Sequence, residues 1–266
     1  FASVFHRFGS EVTVIEYLQE CLPALDSDIA KRLRKQMEKD GIASHMQCGV
    51  KQIADGEVFF EDKKGNTQSV EADVILMATG RKPRTEGLNL EALGITLAPH
   101  GAIPVDPSTF HIPHSTNIYA IGDVNGRQML AHAAEMQAVR VVNQILGKMD
   151  AIDFNIMPAA IFTEPEAACV GPTEDQLKEQ GVAYACKKSF WRANGKALAM
   201  GETEGLLKLF CDADGVILGC HAYGAHAADI IQEVSVLMCK HTTISELADM
   251  VHIHPTLSEI LKNAVE

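Results

Sequence analysis

The spacing of apolar and polar residues changes period along the chain, and each change predicts an element. Residues 1–8 carry apolar side chains at helical spacing and stop at Gly9, the pattern of a helix end. Val12-Thr13-Val14-Ile15 is a short β-branched run that suits a buried parallel strand. Ile29, Leu33 and Met37 then recur every four residues behind Asp26-Ser27-Asp28, which offers an N-cap and first-turn acids; Gly41 closes that helix. A strand over 42–46 is expected next. A hairpin follows, with arms at 57–60 and beyond Lys63-Lys64-Gly65-Asn66. The apolar run 73–78, opening onto Thr79-Gly80, predicts another buried strand. Strands alternating with helices make this first stretch an α/β pattern.

Proline and glycine punctuate residues 98–116, and Asn117-Ile118-Tyr119-Ala120-Ile121 predicts a strand ending in Gly122-Asp123. A long helix is expected over 129–146. From about residue 151 the order changes. Strands are expected at 159–162, 183–190, 206–211 and 216–222, with Asp214-Gly215 as a hairpin turn, and helices at 227–240 and 244–250. Strands first and helices last suggest an α+β domain built on an antiparallel sheet. Three parts result: residues 1–84, 85–150 and 151–266.

Composition narrows the function classes. The 266 residues hold 35 acidic against 23 basic side chains, a formal charge of −12, which argues against a nucleic-acid or anionic-membrane surface. The longest apolar runs fall far short of the ~20 residues that span a bilayer, and the first residues show no secretory pattern. Seven cysteines stand singly, the closest two at 211 and 220, so neither a disulfide scaffold nor a redox dithiol is present in these residues. A reduced, cytoplasmic protein is expected. The start of the chain inside an apolar helix suggests a portion of a longer protein.

Several polar residues sit where chemistry is done. Glu16 ends a strand, where a carboxylate accepts hydrogen bonds from a ribose, or simply meets solvent. Gly80 lets a ligand approach the backbone, or marks an ordinary strand exit. Asp123 lies just past a strand, suited to a sugar-like hydroxyl or to capping its own turn. Met129-Leu130-Ala131-His132 opens a long helix, whose free N–H groups favour an electron-rich oxygen. In His252-Ile253-His254-Pro255-Thr256-Leu257-Ser258-Glu259 an imidazole and a following carboxylate could form a base and its orienting partner. Zinc is the competing use, weakly supported by His-x-His alone, and a polar helix start is the plain one.

Taken in order, residues 12–16, 78–84, 117–124, 129–132 and 254–259 resemble the pyridine nucleotide-disulfide oxidoreductases, from one end of the chain to the other. The resemblance implies a remnant of a Rossmann-like NAD domain (1–84), a segment of an FAD domain (85–150) and an α+β dimerisation domain (151–266). It implies FAD and NAD as cofactors and no metal. Glu16 would contact the adenine ribose of NAD, with Val50 and Gly80 lining that site. Asp123 would hold the flavin ribityl chain, and Met129, Leu130, Ala131 and His132 would face the flavin N1–C2=O edge. His254 would take a proton from a dihydrolipoamide thiol, and Glu259 would orient it. In this family that histidine serves the partner subunit, so a homodimer is implied, working with a lipoylated acyltransferase or glycine-cleavage carrier protein. The family's N-terminal FAD domain, its Cys-x4-Cys and its glycine-rich NAD loop have no counterpart in these residues. Thiol–disulfide exchange needs such a pair, so the chain alone is expected to be inactive. Glutathione-reductase-like and transhydrogenase-like flavoenzymes are the alternatives, as is a non-catalytic dimerisation module. Glu16-Tyr17-Leu18-Gln19 offers no basic cluster for a ribose phosphate, which favours NAD.

Overall fold

Asp26 caps its helix as expected: its carboxylate accepts the Asp28 N–H at 3.2 Å. In the computed structural model, which describes residues 1–115 and 117–266, this helix belongs to a compact unit made of Phe1–Ile75 and Pro158–Glu266; residues Leu76–Met157 form a second. Thr116, the end of the proline- and glycine-punctuated stretch, lies outside the described residues.

The first unit begins with α1 (Ala2–Arg7), β1 (Thr13–Glu16), α2 (Ser27–Lys39) and β2 (Ala43–Met46). The β1 and β2 strands pair in parallel, Thr13 opposite Ala43 and Glu16 opposite Met46. Then β3 (Cys48–Ala54), β4 (Glu57–Asp62) and β5 (Thr67–Glu71) form an antiparallel meander. The hairpin holds because Asp62 Oδ1 accepts the N–H groups of Lys64 and Asn66 across the turn. Its partner β3 has no period-2 signal. A register shift between Val50 and Gln52 breaks the alternation and leaves Val50 and Ile53 exposed.

Two expected strands are absent. Residues 73–78 form no strand, and Val74, Ile75, Leu76 and Met77 are exposed. An apolar run becomes a buried strand only between ladder partners, and among the described residues the β1–β2 sheet has two strands. In the second unit, 117–121 makes one isolated bridge, Tyr119 to His111, flanked by backbone bonds from Ala120 to Phe110 and Ile112 to Ile118. Phe110, with φ +58, bends the opposing chain too sharply for a longer ladder. Leu90, Ile103, Ile112 and Ala120 form this unit's core, and α3 (Ala131–Ile145) follows.

The first unit resumes with β6 (Ala159–Ile161), β7 (Ala167–Val170), α4 (Glu174–Glu179), β8 (Ala185–Phe190), α5 (Gly195–Met200), β9 (Gly205–Cys211) and β10 (Ile217–Gly224). Helices α6 (Ala227–Met238), α7 (Ile244–Asp249) and α8 (Glu259–Val265) close the chain. The sheet runs β6-β7-β10-β9-β8, every pair antiparallel. Trp191 is fully buried over Gly205 and Gly224, where a Cβ would overlap the indole. The buried residues of α2 (Ile29, Ala30, Leu33) pack with Ala167, Leu206 and Tyr223 of this sheet. Each large side chain buried there contributes about 1.5–3 kcal/mol.

Candidate active site

The segment between α7 and α8 places His254 and Glu259 together. Glu259 is the first residue of α8, and its two oxygens divide the work. Oε1 meets His254 Nδ1 at 2.9 Å, and Oε2 accepts the Thr256 N–H at 2.9 Å. The Thr256 N–H, then the His254 bond, hold the Glu259 carboxyl below its usual range, so it is ionised at neutral pH and only accepts. Nδ1 therefore carries the hydrogen, and the lone pair is left on Nε2. The ring is 78% exposed and so open to a reactant. Thr256 is tied further: its hydroxyl donates to the Ile253 carbonyl at 2.7 Å, and its own carbonyl accepts from Asn194 Nδ2 at 3.0 Å. His252 serves elsewhere, with Nε2 3.1 Å from Glu233 Oε1.

In the second unit Asp123 lies in a tight helical turn over Gly122–Asn125, and Oδ2 stands 3.2 Å from Arg81 Nη2 in an exposed ion pair. The turn is built on α3. Gln137, fully buried, accepts the Gly122 N–H at 2.8 Å and Asn125 Nδ2 at 2.9 Å through one oxygen. Gly122 needs its φ of +74 here, and a Cβ would crowd Ala134 at 3.2 Å. The Gln137 Nε2 atom has no hydrogen-bond partner. Leu130 is the N-cap of α3 and gives no side-chain cap; Ala131 and His132 are its first two residues, and Met129 precedes them. No acidic residue stands in the first turn. The positive end of this 15-residue helix thus carries no side-chain cap from Leu130. An open cleft of about 560 Å³ lies just before it, lined by Gly126, Arg127, Gln128, Phe154 and Asn155. A helix N-terminus beside a carboxylate-bearing turn fits an electron-rich ring edge carrying a hydroxylated chain, which is the chemistry of a flavin.

The other expected ligand residues are spread over both units. Glu16 ends β1, where Oε1 accepts the Leu18 N–H at 2.8 Å and fixes the turn. Val50 stands exposed on β3. Gly80, with φ +95 and open space where a Cβ would go, belongs to the second unit. Among the described residues no cluster of His, Cys, Asp and Glu is arranged to hold a metal ion, and no helix is long and apolar enough to cross a membrane.

Three structural features do not follow from the local sequence pattern. Gln137 reads as one more polar residue of a helix, and Asn194 as a simple N-cap ahead of Gly195. Lys208, alone in Leu206-Leu207-Lys208-Leu209-Phe210, was the one legible oddity, since a charge inside an apolar strand must find partners. It finds Asp26 Oδ1 at 2.6 Å and Glu174 Oε2 at 2.7 Å.

Known proteins resemble this chain in sequence and in fold. Leghemoglobin reductase of Glycine max is 38% identical over 98% of this chain, and dihydrolipoyl dehydrogenase 3 of Pseudomonas putida is 39% identical over 98%. The chain spans 51% and 57% of those two proteins, little more than half their length. The crystal structure of LpdA from Mycobacterium tuberculosis superposes with a TM-score of 0.88 at 29% identity, over 100% of this chain and 58% of that one. The HOCl-induced flavoprotein disulfide reductase RclA from Escherichia coli gives 0.88 at 29%, over 100% and 61%. The family's dimerisation domain matches residues 157–265, and its pyridine nucleotide-disulphide oxidoreductase domain matches 1–138. Members of this family use FAD and NAD. With both matches in order along one chain, the protein belongs to the pyridine nucleotide-disulphide oxidoreductase family.

Proposed function

We propose that these residues are the C-terminal share of an NAD-dependent dihydrolipoyl dehydrogenase, in which electrons pass from dihydrolipoamide through a disulfide and FAD to NAD. The observation that carries this is the His254–Glu259 pair at 2.9 Å, with Thr256 on the second carboxylate oxygen. Bound FAD would supply the two-electron relay. His254 Nε2 accepts the thiol proton, and the Glu259 carboxylate holds Nδ1–H and offsets the imidazolium charge. Residues 129–132 would present N–H groups to the flavin N1–C2=O edge, and Asp123 would hold the ribityl hydroxyls. Glu16 would hold the adenine ribose of NAD, and Val50 and Gly80 are further candidates for binding NAD, each within its own unit.

The seven cysteines include no closely spaced pair, so the reactive disulfide is not supplied by these residues and the chain alone is inactive. The same reading makes the protein a homodimer serving a lipoylated acyltransferase or glycine-cleavage carrier protein, in the cytoplasm. Seven free thiols support a reducing compartment. The test is a chimera in which residues 1–266 replace the matching part of Pseudomonas putida dihydrolipoyl dehydrogenase 3. It should reduce NAD with dihydrolipoamide, and His254→Gln in the chimera should cost at least 100-fold in kcat, within the usual range for a general base. Undiminished turnover in that variant would remove His254 from the mechanism.

A further inference from the structure

Asn194 is 1% exposed and lies 62 positions from the residue it bonds, yet it connects two structures at once. Its Oδ1 accepts the Ala197 N–H at 2.9 Å and caps α5; its Nδ2 donates to the Thr256 carbonyl at 3.0 Å. From Thr256 the chain of bonds continues without a gap, from its N–H to Glu259 Oε2 and from Glu259 Oε1 to His254 Nδ1. The segment 251–258 has no regular structure of its own, and Val251 and Ile253 are 98% and 79% exposed. Packing of Val251 and Ile253 therefore does not hold His254 in place. His252, held by Glu233 at 3.1 Å, anchors the segment before His254; on the side of Thr256 and Glu259 the anchor is the buried Asn194 side chain, from another part of the domain.

We infer that Asn194 is a positioning residue for His254, setting its ring tautomer through Thr256 and Glu259. The inference rests on His254 as the proton acceptor for its purpose, but its geometry stands independently. If Thr256 drifts, its N–H leaves Glu259 Oε2, the carboxylate is free to rotate, and Nδ1–H loses its acceptor. The imidazole hydrogen then divides between the two nitrogens, and Nε2 carries it part of the time.

Asn194→Asp separates the two duties of the side chain. A carboxylate still accepts the Ala197 N–H, since Asp caps as well as Asn, but it has no hydrogen for the Thr256 carbonyl and repels it. The experiment is ¹⁵N NMR of the His254 ring in the 266-residue chain above neutral pH, assigned by loss of its signals in His254→Gln. The unaltered chain should show the Nδ1–H tautomer in clear excess. Asn194→Asp should shift the ring toward the Nε2–H tautomer, which a free histidine side chain favours, while the Ala197 amide exchanges as it does in the unaltered chain. Asn194→Ser, which caps but is too short to reach Thr256, should give the same result and serves where the Asp variant does not fold. An unchanged tautomer ratio in either folded variant overturns the inference. Failure of the dihydrolipoyl dehydrogenase reading would show separately, as His254→Gln turnover in the chimera.

Discussion

Gln137 shows how one buried carboxamide can decide the shape of a site it never touches. Its single oxygen serves Gly122 N–H and Asn125 Nδ2, and Asn125 Nδ2 reaches on to the Ala120 carbonyl at 3.1 Å, so the Asp123 turn hangs on α3 from its second helical turn. Gln137→Leu keeps the volume and removes the acceptor. The Gly122 N–H is then buried without a partner, which costs about 1–3 kcal/mol. Urea unfolding should show that loss, whereas Gln137→Glu, which accepts both donors and drops the orphaned Nε2, should lie between Leu and the unaltered chain. A Leu variant as stable as its parent would show that the turn is held by other contacts. Sequence separation explains what could be read at this scale. His254 and Glu259 are five apart, and a local turn brings them together, so their pairing was legible. Gln137 is 15 positions from Gly122 and Asn194 is 62 from Thr256; neither pairing follows from any local rule.

The elements that were legible are those whose period reflects one buried face. Helix α2 shows Ile29 and Leu33 on its core side behind an Asp cap, and the pattern survives intact in the structure. The sheet strands β9 and β10 are buried along nearly their whole length and read as apolar runs. Residues 73–78 carry the same signal without the ladder partners that turn it into a strand, whereas β3 is a strand whose bulge erases the signal. The joint between α2 and the sheet was equally hidden. Asp26 and Lys208 are 0% and 2% exposed and 2.6 Å apart, Glu174 takes Lys208 on its other side, and Tyr184 donates to Glu174. Lys208→Met would leave the Asp26 carboxylate buried without its counter-charge, a loss of about 3–5 kcal/mol in urea unfolding. The pH dependence gives an independent readout. The Lys208 ammonium, with help from Tyr184, lowers the Glu174 pKa to about 2, so its contribution is complete above the ordinary carboxylate value of ~4.3 and is lost as pH falls toward 2. Burial lowers the His221 pKa as well, so the folded state resists its protonation and stability begins to fall below about pH 6.5. Both act in the same direction: stability should decline stepwise with acid. In Lys208→Met the lower step should flatten, because Glu174 has lost the cation that depressed it. A full-sized lower step in the variant would show that Lys208 is not its cause.

For the whole molecule, charge and apolar surface pull against each other. A net charge of −12 sets two copies of the chain against each other at long range, so self-association must come from a local apolar patch. The region that matches the family's dimerisation domain has one around the His254 segment: Val251 is 98% exposed, Ile253 79%, with Met250 and, on α6, Val236 also exposed. Side chains this open contribute almost nothing to the fold of one copy, so they are free to meet a second. Val251→Asp with Ile253→Asp places four new carboxylates in a symmetric interface and leaves the single copy's core unaltered. Sedimentation equilibrium should give twice 28.9 kDa for the unaltered chain at micromolar concentration and the single mass for the double variant, with unchanged circular dichroism. The chimera adds a functional arm to the same prediction. His254 lies next to Ile253, so a site that draws its base from the neighbouring subunit loses turnover when the dimer dissociates, and regains it as protein concentration rises. A double variant that remains dimeric would place the interface on another face. A monomeric variant with full turnover would show instead that His254 serves its own subunit.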